Sequence, residues 1–322
     1  MVSLILGIEI GGTKLQLGLG TSEGKLLALR QGAVDVDRGA EGIRQWLKKQ
    51  IPDFLSSFRS VGQRVSAMGC GFGGPIDSAA GKVLVSNQVA GWDDFPLRDW
   101  LEQAFCMPTW VENDSNAAAW GEYQRGVGRT TQHFFYTNLG SGVGGGLILN
   151  GELYDGQGFG AAEFGHMVVP DLRTQAVSKV LELEQICSGW AIEDRLRQPG
   201  YIPVSSELYN RIHGQTKQVT TVHLADSAKT GDRFALSEID LVAHTLGIGL
   251  ANVLNLTNVQ RIAIGGGVSK LGPLLIEPVR RYTAQYVYVS SQGRYQIQQC
   301  ELGDSIVLIG AILLAKRAFD LT

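Results

Sequence analysis

Glu163 and His166 stand three positions apart in EFGH, at the end of the glycine-rich stretch GQGFGAAEFGHMVV. A carboxylate and an imidazole at that spacing suit a metal site, an acid/base pair, a clamp for a polyhydroxylated ligand, or a plain loop. Nothing local decides among them. A second candidate is Asp114 in VENDSNAAAW, where an apolar strand pattern gives way to helix-forming residues. Ligands of α/β proteins gather at the carboxyl ends of strands, and a helix N-terminus favours an ionised carboxylate. Asp114 therefore suits the general base that a kinase acting on an alcohol needs to take up the hydroxyl proton. The same stretch also offers a plain helix N-cap, from Asn113, Asp114 or Ser115.

Three glycine turns complete the chemistry-bearing set: GGTK at 11–14, GSGVGGG at 140–146 and GGGVS at 265–269. Glycine lets backbone N–H groups approach an anion without side-chain obstruction, so such turns can cradle phosphate. Each is also an ordinary place for a hairpin or strand-to-helix turn. Taken together, with Thr13 and Lys14 in the first and Ser141 in the second, they favour phosphate binding. Gly69, Gly71 and Gly74, and again Gly140, Gly142 and Gly145, spell G-x-G-x-x-G. A dinucleotide fingerprint must open a helix, yet Pro75 follows the first passage and LILNG the second, which argues against it. The Walker A pattern G-x-x-x-x-G-K-[ST] is absent, which excludes a P-loop kinase on the same test.

The elements that must position these residues follow from apolar periodicity. LILGIEI, LQLGLG and LLALRQGAV read as a strand meander, VSAMGCGF and PTWVE as further strands. Helices are expected over 41–58, with Pro52 capping or kinking the first, and over 96–105, from about 113, over 176–196 and over 234–257. FFYTNLG, GSGVGGG and LILNGELYDG repeat the strand, glycine turn, strand layout of the N-terminus. The two passages look like equivalent halves of one duplicated α/β plan.

Composition narrows the function classes. The chain has 322 residues, 44% of them hydrophobic and 18% charged, enough for a sizeable core and against disorder. Its formal net charge of -3 offers no basic field for a phosphate backbone, so nucleic acid is not expected as a partner. The longest apolar run, IVLIGAILLA at 306–315, is too short to span a bilayer, and the N-terminus lacks a basic leader. Four dispersed cysteines without C-x-x-C fit reduced thiols. A cytoplasmic protein without membrane association is the expectation.

In order along the chain, LGIEIGGTK, GFGGPID, SNQVAGW, VENDSNAAA, NLGSGVGGGLI, AAEFGHMVV, ELEQICSG, IAIGGGVS and LGDSIVLIGAILLA resemble the ROK family of bacterial sugar kinases, repressors and relatives. The resemblance runs from about residue 4 to 317. It implies a duplicated actin-like ATPase (ribonuclease H-like) α/β fold, with two domains flanking a cleft, and a homodimer. The boundaries expected are 1–113 plus a C-terminal helix over about 304–322 for the smaller domain, and 114–303 for the larger.

Carried over residue by residue, the resemblance makes Asp114 the catalytic base. It assigns Asn87, Asn113, Asp114, Glu163, His166 and Glu184 to a hexose. Gly11, Gly12, Thr13 and Lys14, with Gly140, Ser141 and Gly142, would hold the phosphates of ATP, and Gly265, Gly266 and Gly267 its adenosine portion. Glu9, where most members have Asp, would support Mg²⁺ through water. Typical members follow the EFGH histidine with cysteines that bind zinc. Those positions fall here at Gln175, Val177 and Glu182, so no zinc site is expected and 170–186 is expected to pack as a helix instead.

The function implied is ATP-dependent phosphorylation of a hexose, glucose and its 6-hydroxyl being the default. Alternatives are a kinase for fructose or an N-acylated hexosamine, and a sugar-binding protein with weak or lost catalysis. A repressor is disfavoured, since the first phosphate turn begins at residue 11 and leaves no room before it for a helix-turn-helix domain.

Overall fold

The computed structural model describes residues 3–58, 64–86, 88–158, 160–174 and 179–320. The chain opens with β1 (Leu4–Ile10), β2 (Lys14–Thr21), β3 (Leu26–Ala33), α1 (Gly39–Ser56), β4 (Val65–Phe72), β5 (Ile76–Asp77) and β6 (Lys82–Val83). Next come α2 (Leu97–Phe105), β7 (Thr109–Asn113), α3 (Asp114–Arg125), β8 (Phe134–Leu139), β9 (Val143–Leu149) and β10 (Glu152–Tyr154). They are followed by β11 (Val168–Pro170), β12 (Val180–Glu182), α4 (Glu184–Cys187), α5 (Gly189–Arg197), α6 (Glu207–Arg211), α7 (Thr221–Lys229) and α8 (Arg233–Thr257). The chain closes with β13 (Arg261–Gly265), α9 (Pro273–Tyr286), β14 (Gln296–Gln299) and α10 (Ile306–Ala318).

Two five-stranded sheets carry the duplication. The first runs β3-β2-β1-β4-β7 and the second β10-β9-β8-β13-β14. In both, the outer hairpin pair is antiparallel, while the last three strands are parallel to one another. The matching order bears out the repeated layout read from the glycine turns. Contact density divides the chain into one unit of Met1–Thr130, Gly146–Ala162 and Glu301–Thr322 and another of Thr131–Gly145 and Glu163–Cys300. The first unit extends past the expected break at residue 113. Helix α3 packs along α10, and Glu152 on β10 pairs with Arg317 of the same helix, so both stretches stay with α10.

Alternation along β1 explains how the first unit buries a polar group. Leu4, Leu6, Ile8 and Ile10 face a core shared with Ile43, Leu47, Ile51 and Phe54 of α1 and Leu97 and Leu101 of α2. Residues 5, 7 and 9 point to the opposite face, where Ile5 packs on Ile312 and Ala315 of α10. Both faces being covered, the whole strand is buried, as in sheets with helices on each side. Glu9 therefore lies under the start of α10 rather than in solvent. α10 comes this close because glycines line its path: a methyl group on Gly69 would fall 2.0 Å from the Ala311 carbonyl oxygen, and one on Gly310 1.7 Å from that of Ala117. Helix α1 continues through Pro52, which stands exposed in its last turns between the buried Ile51 and Phe54.

The second unit is built around α8, which packs against α9, α4 and α7. By length and composition α8 is apolar enough to cross a membrane, but Val242, Leu246, Leu250 and Leu254 are buried in this packing, as in a core helix. The expected helix over 176–196 holds only from Glu184 on, as α4 and α5, and the helical packing of 170–186 is overturned by the strands before it. Residues 168–170 and 180–182 pair as antiparallel strands, with Val168 opposite Glu182, and only then do the short α4 and α5 begin. The physical reason lies in the period: Val169 is buried between exposed Val168 and Pro170, a two-residue alternation, and Asp171 fastens the turn. The side chain of Asp171, 1% exposed, accepts from Arg173 Nε at 2.8 Å, and its backbone N–H donates to the Lys179 carbonyl at 3.0 Å.

Candidate active site

The candidate residues fall into two clusters, one in each unit. In the first, Asn113 ends β7 and caps α3, its Oδ1 accepting from Ser115 N at 2.9 Å and Asn116 N at 3.1 Å. This leaves Asp114 in the first helical turn, where the helix dipole favours its charge. The amide of Asn113 also donates from Nδ2 to the Gly74 carbonyl at 3.0 Å, tying the cap to the turn after β4. Gly73 is the spacer beside Asp114. A methyl group there would lie 3.3 Å from Asp114 Oδ2, 3.4 Å from the Ile10 carbonyl oxygen and 3.5 Å from Gly11 Cα. The proposed base and the first glycine turn thus converge on one backbone position.

That turn is closed by Gly11 N donating to the Lys14 carbonyl at 3.0 Å. Lys14 reaches Glu9 at 3.2 Å, while Gln16 donates to the second carboxylate oxygen at 2.8 Å and to the Asp304 carbonyl at 3.1 Å. Burial pushes the Glu9 carboxyl up to about 7; Lys14 opposes the shift, and the negative charge of Asp114 adds to it. Two neighbouring carboxylates of this kind are hard oxygen donors and fit a divalent cation of the Mg²⁺ class. Gln88, which sequence reasoning passed over, packs over Gly12, and Thr13 is exposed. Asn87 lies outside the described residues.

Sequence reasoning also missed Glu112. Its buried Oε1 accepts from Ser78 Oγ at 2.8 Å, Asn113 N at 3.0 Å and Asn116 Nδ2 at 3.2 Å, so it holds the strand-to-helix junction from behind. Burial raises its pKa, against those hydrogen bonds. Glu112 is buried directly after buried Val111, so alternation along β7 did not mark it, and nothing in sequence named its partners.

In the second unit, EFGH forms a single 3-10 turn over Phe164–His166. Phe164 roots it in the core, its ring edge-on to Phe135 at 5.3 Å and against Gly249 of α8. Gly165 presses on the chain at the second glycine turn: a methyl group there would lie 2.3 Å from the Val143 carbonyl oxygen. Glu163 and His166 are left exposed. Glu184, at the start of α4, accepts from Val143 N at 3.3 Å. Gly189 N donates to the Gly140 carbonyl at 2.7 Å, so the 140–142 turn, EFGH and the start of α5 are joined.

The third turn stands beside the second. Gly266 has φ +82, and a methyl group on it would fall 2.5 Å from the Leu139 backbone, so only glycine fits. Gly267 borders a cavity of about 180 Å³ lined among others by Val222, Ala225, Val268 and Leu271, with Lys270 at its edge. Its largely apolar walls and its size suit a flat heteroaromatic base.

Among the described residues, one group of three metal-ligating side chains comes together: His166, Glu182 and Glu184, with one donor atom of each within 4.8 Å of the others. Glu182 stands at one of the positions aligned with a zinc-ligating cysteine; Gln175 and Val177 lie outside the described residues. An imidazole with two carboxylates lacks the closed, thiolate-rich set of structural zinc.

A model of the ROK family matches residues 5–318, and the chain belongs to that family. It is 32% identical to a glucokinase of Thermotoga maritima over 97% of both chains. It is 25% identical to a xylose repressor of Caldicellulosiruptor bescii, over 97% of this chain and 78% of that protein. The fold superposes on a ROK family glucokinase from Streptomyces griseus, crystallised with glucose and AMPPNP, at a TM-score of 0.81 and 31% identity, covering 98% of this chain and 100% of that one. The fold is that of the ROK sugar kinases, with the duplicated actin-like architecture.

Proposed function

We propose that this chain transfers the γ-phosphoryl group of ATP to a hydroxyl of a hexose, with Asp114 as the general base. The observation that carries this reading is the place of Asp114: in the first turn of α3, against Gly73 and the glycine turn at 11–14. Asp114 takes the proton of the sugar hydroxyl as that oxygen bonds to the γ-phosphorus. The bond from that phosphorus to the bridging oxygen breaks, and ADP leaves with its electron pair. Glu163, His166 and Glu184, with Asn113 and Asn87, bind the sugar in this reading. Gly11 to Lys14 and Gly140 to Gly142 hold phosphates, and Gly265 to Gly267 border the adenosine.

The apolar cavity beside Gly267 supports a purine donor over polyphosphate. The relative from S. griseus, bound to glucose and AMPPNP, supports the same pairing of ligands. Glu9 would hold Mg²⁺ through water, and the ion, when bound, supplies positive charge against the phosphates. Glucose and its 6-hydroxyl are the first substrate to test, with fructose and N-acylated hexosamines next, and a homodimer is the working assembly. Similarity to a xylose repressor favours a second reading, sugar binding without turnover. A panel of hexoses with ATP and Mg²⁺, followed by coupled detection of ADP, decides between them. ADP released with one sugar and not without it supports the kinase. No release with any sugar, while sugar still binds, establishes the second reading.

A further inference from the structure

We propose that Glu182 is a positioning residue for His166, accepting a hydrogen bond from Nδ1–H of the imidazole and so presenting Nε2 as a hydrogen-bond acceptor toward the sugar. The inference rests on the reading above that His166 faces the sugar. His166 Nδ1 stands 3.4 Å from Glu182 Oε2. A neutral imidazole carries its proton on one nitrogen only, and the partner of one nitrogen decides the role of the other.

Both side chains are about half exposed, and an exposed pair of this kind holds little by itself. Here the backbone brings it together. Phe164 anchors the turn that ends in His166, and Glu182 lies across from Val168 in the β11–β12 ladder. Leu183 N donates to the Met167 carbonyl at 2.9 Å, and Glu182 N donates to Gln185 Oε1 at 3.2 Å. At the far end of the hairpin, Asp171 is held by Arg173 at 2.8 Å and by Lys179 at 3.6 Å. The backbone ordering that brings the pair together is already supplied by these contacts, so only the two side chains remain to be fixed when it forms.

The consequence is that the three side chains assigned to the sugar in this unit are all acceptors. Glu163 and Glu184 accept as carboxylates, and His166 accepts through Nε2. Each is to be met by a donating hydroxyl, so a sugar with an ether or no oxygen at one of those positions leaves an acceptor without its partner in the complex.

The test uses the full chain and two variants at a half-exposed position, Glu182→Gln, which keeps an oxygen to accept from Nδ1–H, and Glu182→Leu, which does not. Imidazole nitrogen resonances of the five histidines are recorded near pH 8, and His166 is assigned by its loss in His166→Asn. Wild type and Glu182→Gln are expected to carry the proton on Nδ1, and Glu182→Leu to move it to Nε2. With the hexose that turns over, Glu182→Leu should raise the sugar KM about three- to tenfold, the size of one hydrogen bond, with kcat nearly unchanged. An Nε2 proton in wild type, or the same tautomer in Glu182→Leu, overturns the proposal. So does a stoichiometric shift of the His166 resonances on adding Zn²⁺, which would make the two carboxylates metal ligands. These spectra are read without turnover, so failure of the kinase reading and failure of this one remain distinguishable.

Discussion

The ammonium of Lys14 stands 3.2 Å from one carboxylate oxygen of Glu9, and the amide of Gln16 donates to the other at 2.8 Å. The pair lies on the face of β1 that α10 covers, and Asp114 is close enough to be felt electrostatically. Glu9 is therefore held between a cation it needs and a burial that penalises its charge.

Stability should record that conflict. The Glu9 carboxyl, ordinarily at 4.5, is pushed up to about 7 by burial, so the folded state binds this proton more tightly than the unfolded chain. Its contribution is fully present below about pH 4.5 and is lost as pH rises toward 7. Relative to Glu9→Gln, wild type should lose up to about 3 kcal/mol between pH 5 and pH 8. Urea unfolding of both proteins at the two pH values measures it. A difference that does not move with pH would show that Glu9 is charged throughout.

Replacing Asp114 by Asn keeps the shape of the first turn of α3 and removes the base. Turnover should fall by about 10² to 10⁴ while sugar affinity, followed by calorimetry, stays within a few-fold. Unchanged turnover would mean that another group takes the proton.

Ala225 lines the cavity beside Gly267. Ala225→Phe should fill the space assigned to the base and raise the KM for ATP by about tenfold or more, leaving the sugar KM unchanged. Steady-state kinetics with each substrate varied in turn separates the two. An unaltered KM for ATP would place the base elsewhere.

The contact of α10 with α3 depends on Gly310, where a methyl group would fall 1.7 Å from the Ala117 carbonyl oxygen. Gly310→Ala should cost about 3 kcal/mol in urea unfolding, because backbone rather than a flexible side chain must give way. Gly267, with no heavy atom within 4 Å of such a methyl, is the control. Gly267→Ala should change stability by less than about 0.5 kcal/mol.

Much of the fold was legible because its signals are local. The meander at the N-terminus, the helices α1, α2, α3 and α8 and the repeated strand, turn, strand layout all announce themselves by apolar period or by glycine. The segment 168–187 was not legible in the same way. Its valines and leucines occur too densely for a helical period to be told from a strand period, and the pairing of Val168 with Glu182 spans an intervening stretch of chain. Asn113 shows the same limit within the candidate site. Three neighbouring residues could cap α3, and the choice fell to Asn113 because its amide also meets the Gly74 carbonyl, far away in sequence.

From its sequence alone this chain could be read as a ROK protein with a duplicated α/β plan, three glycine turns and a carboxylate at a strand-to-helix junction, since those features are set by residue type and spacing. What the tertiary structure decided is the environment of each group. Glu9 is buried because an α-helix from the far end of the chain lies over it, which raises its proton affinity. His166 gains a carboxylate partner because a two-stranded ladder brings Glu182 across to it. Proton affinity and side-chain orientation depend on neighbours through space, and those neighbours are assembled only when the chain folds.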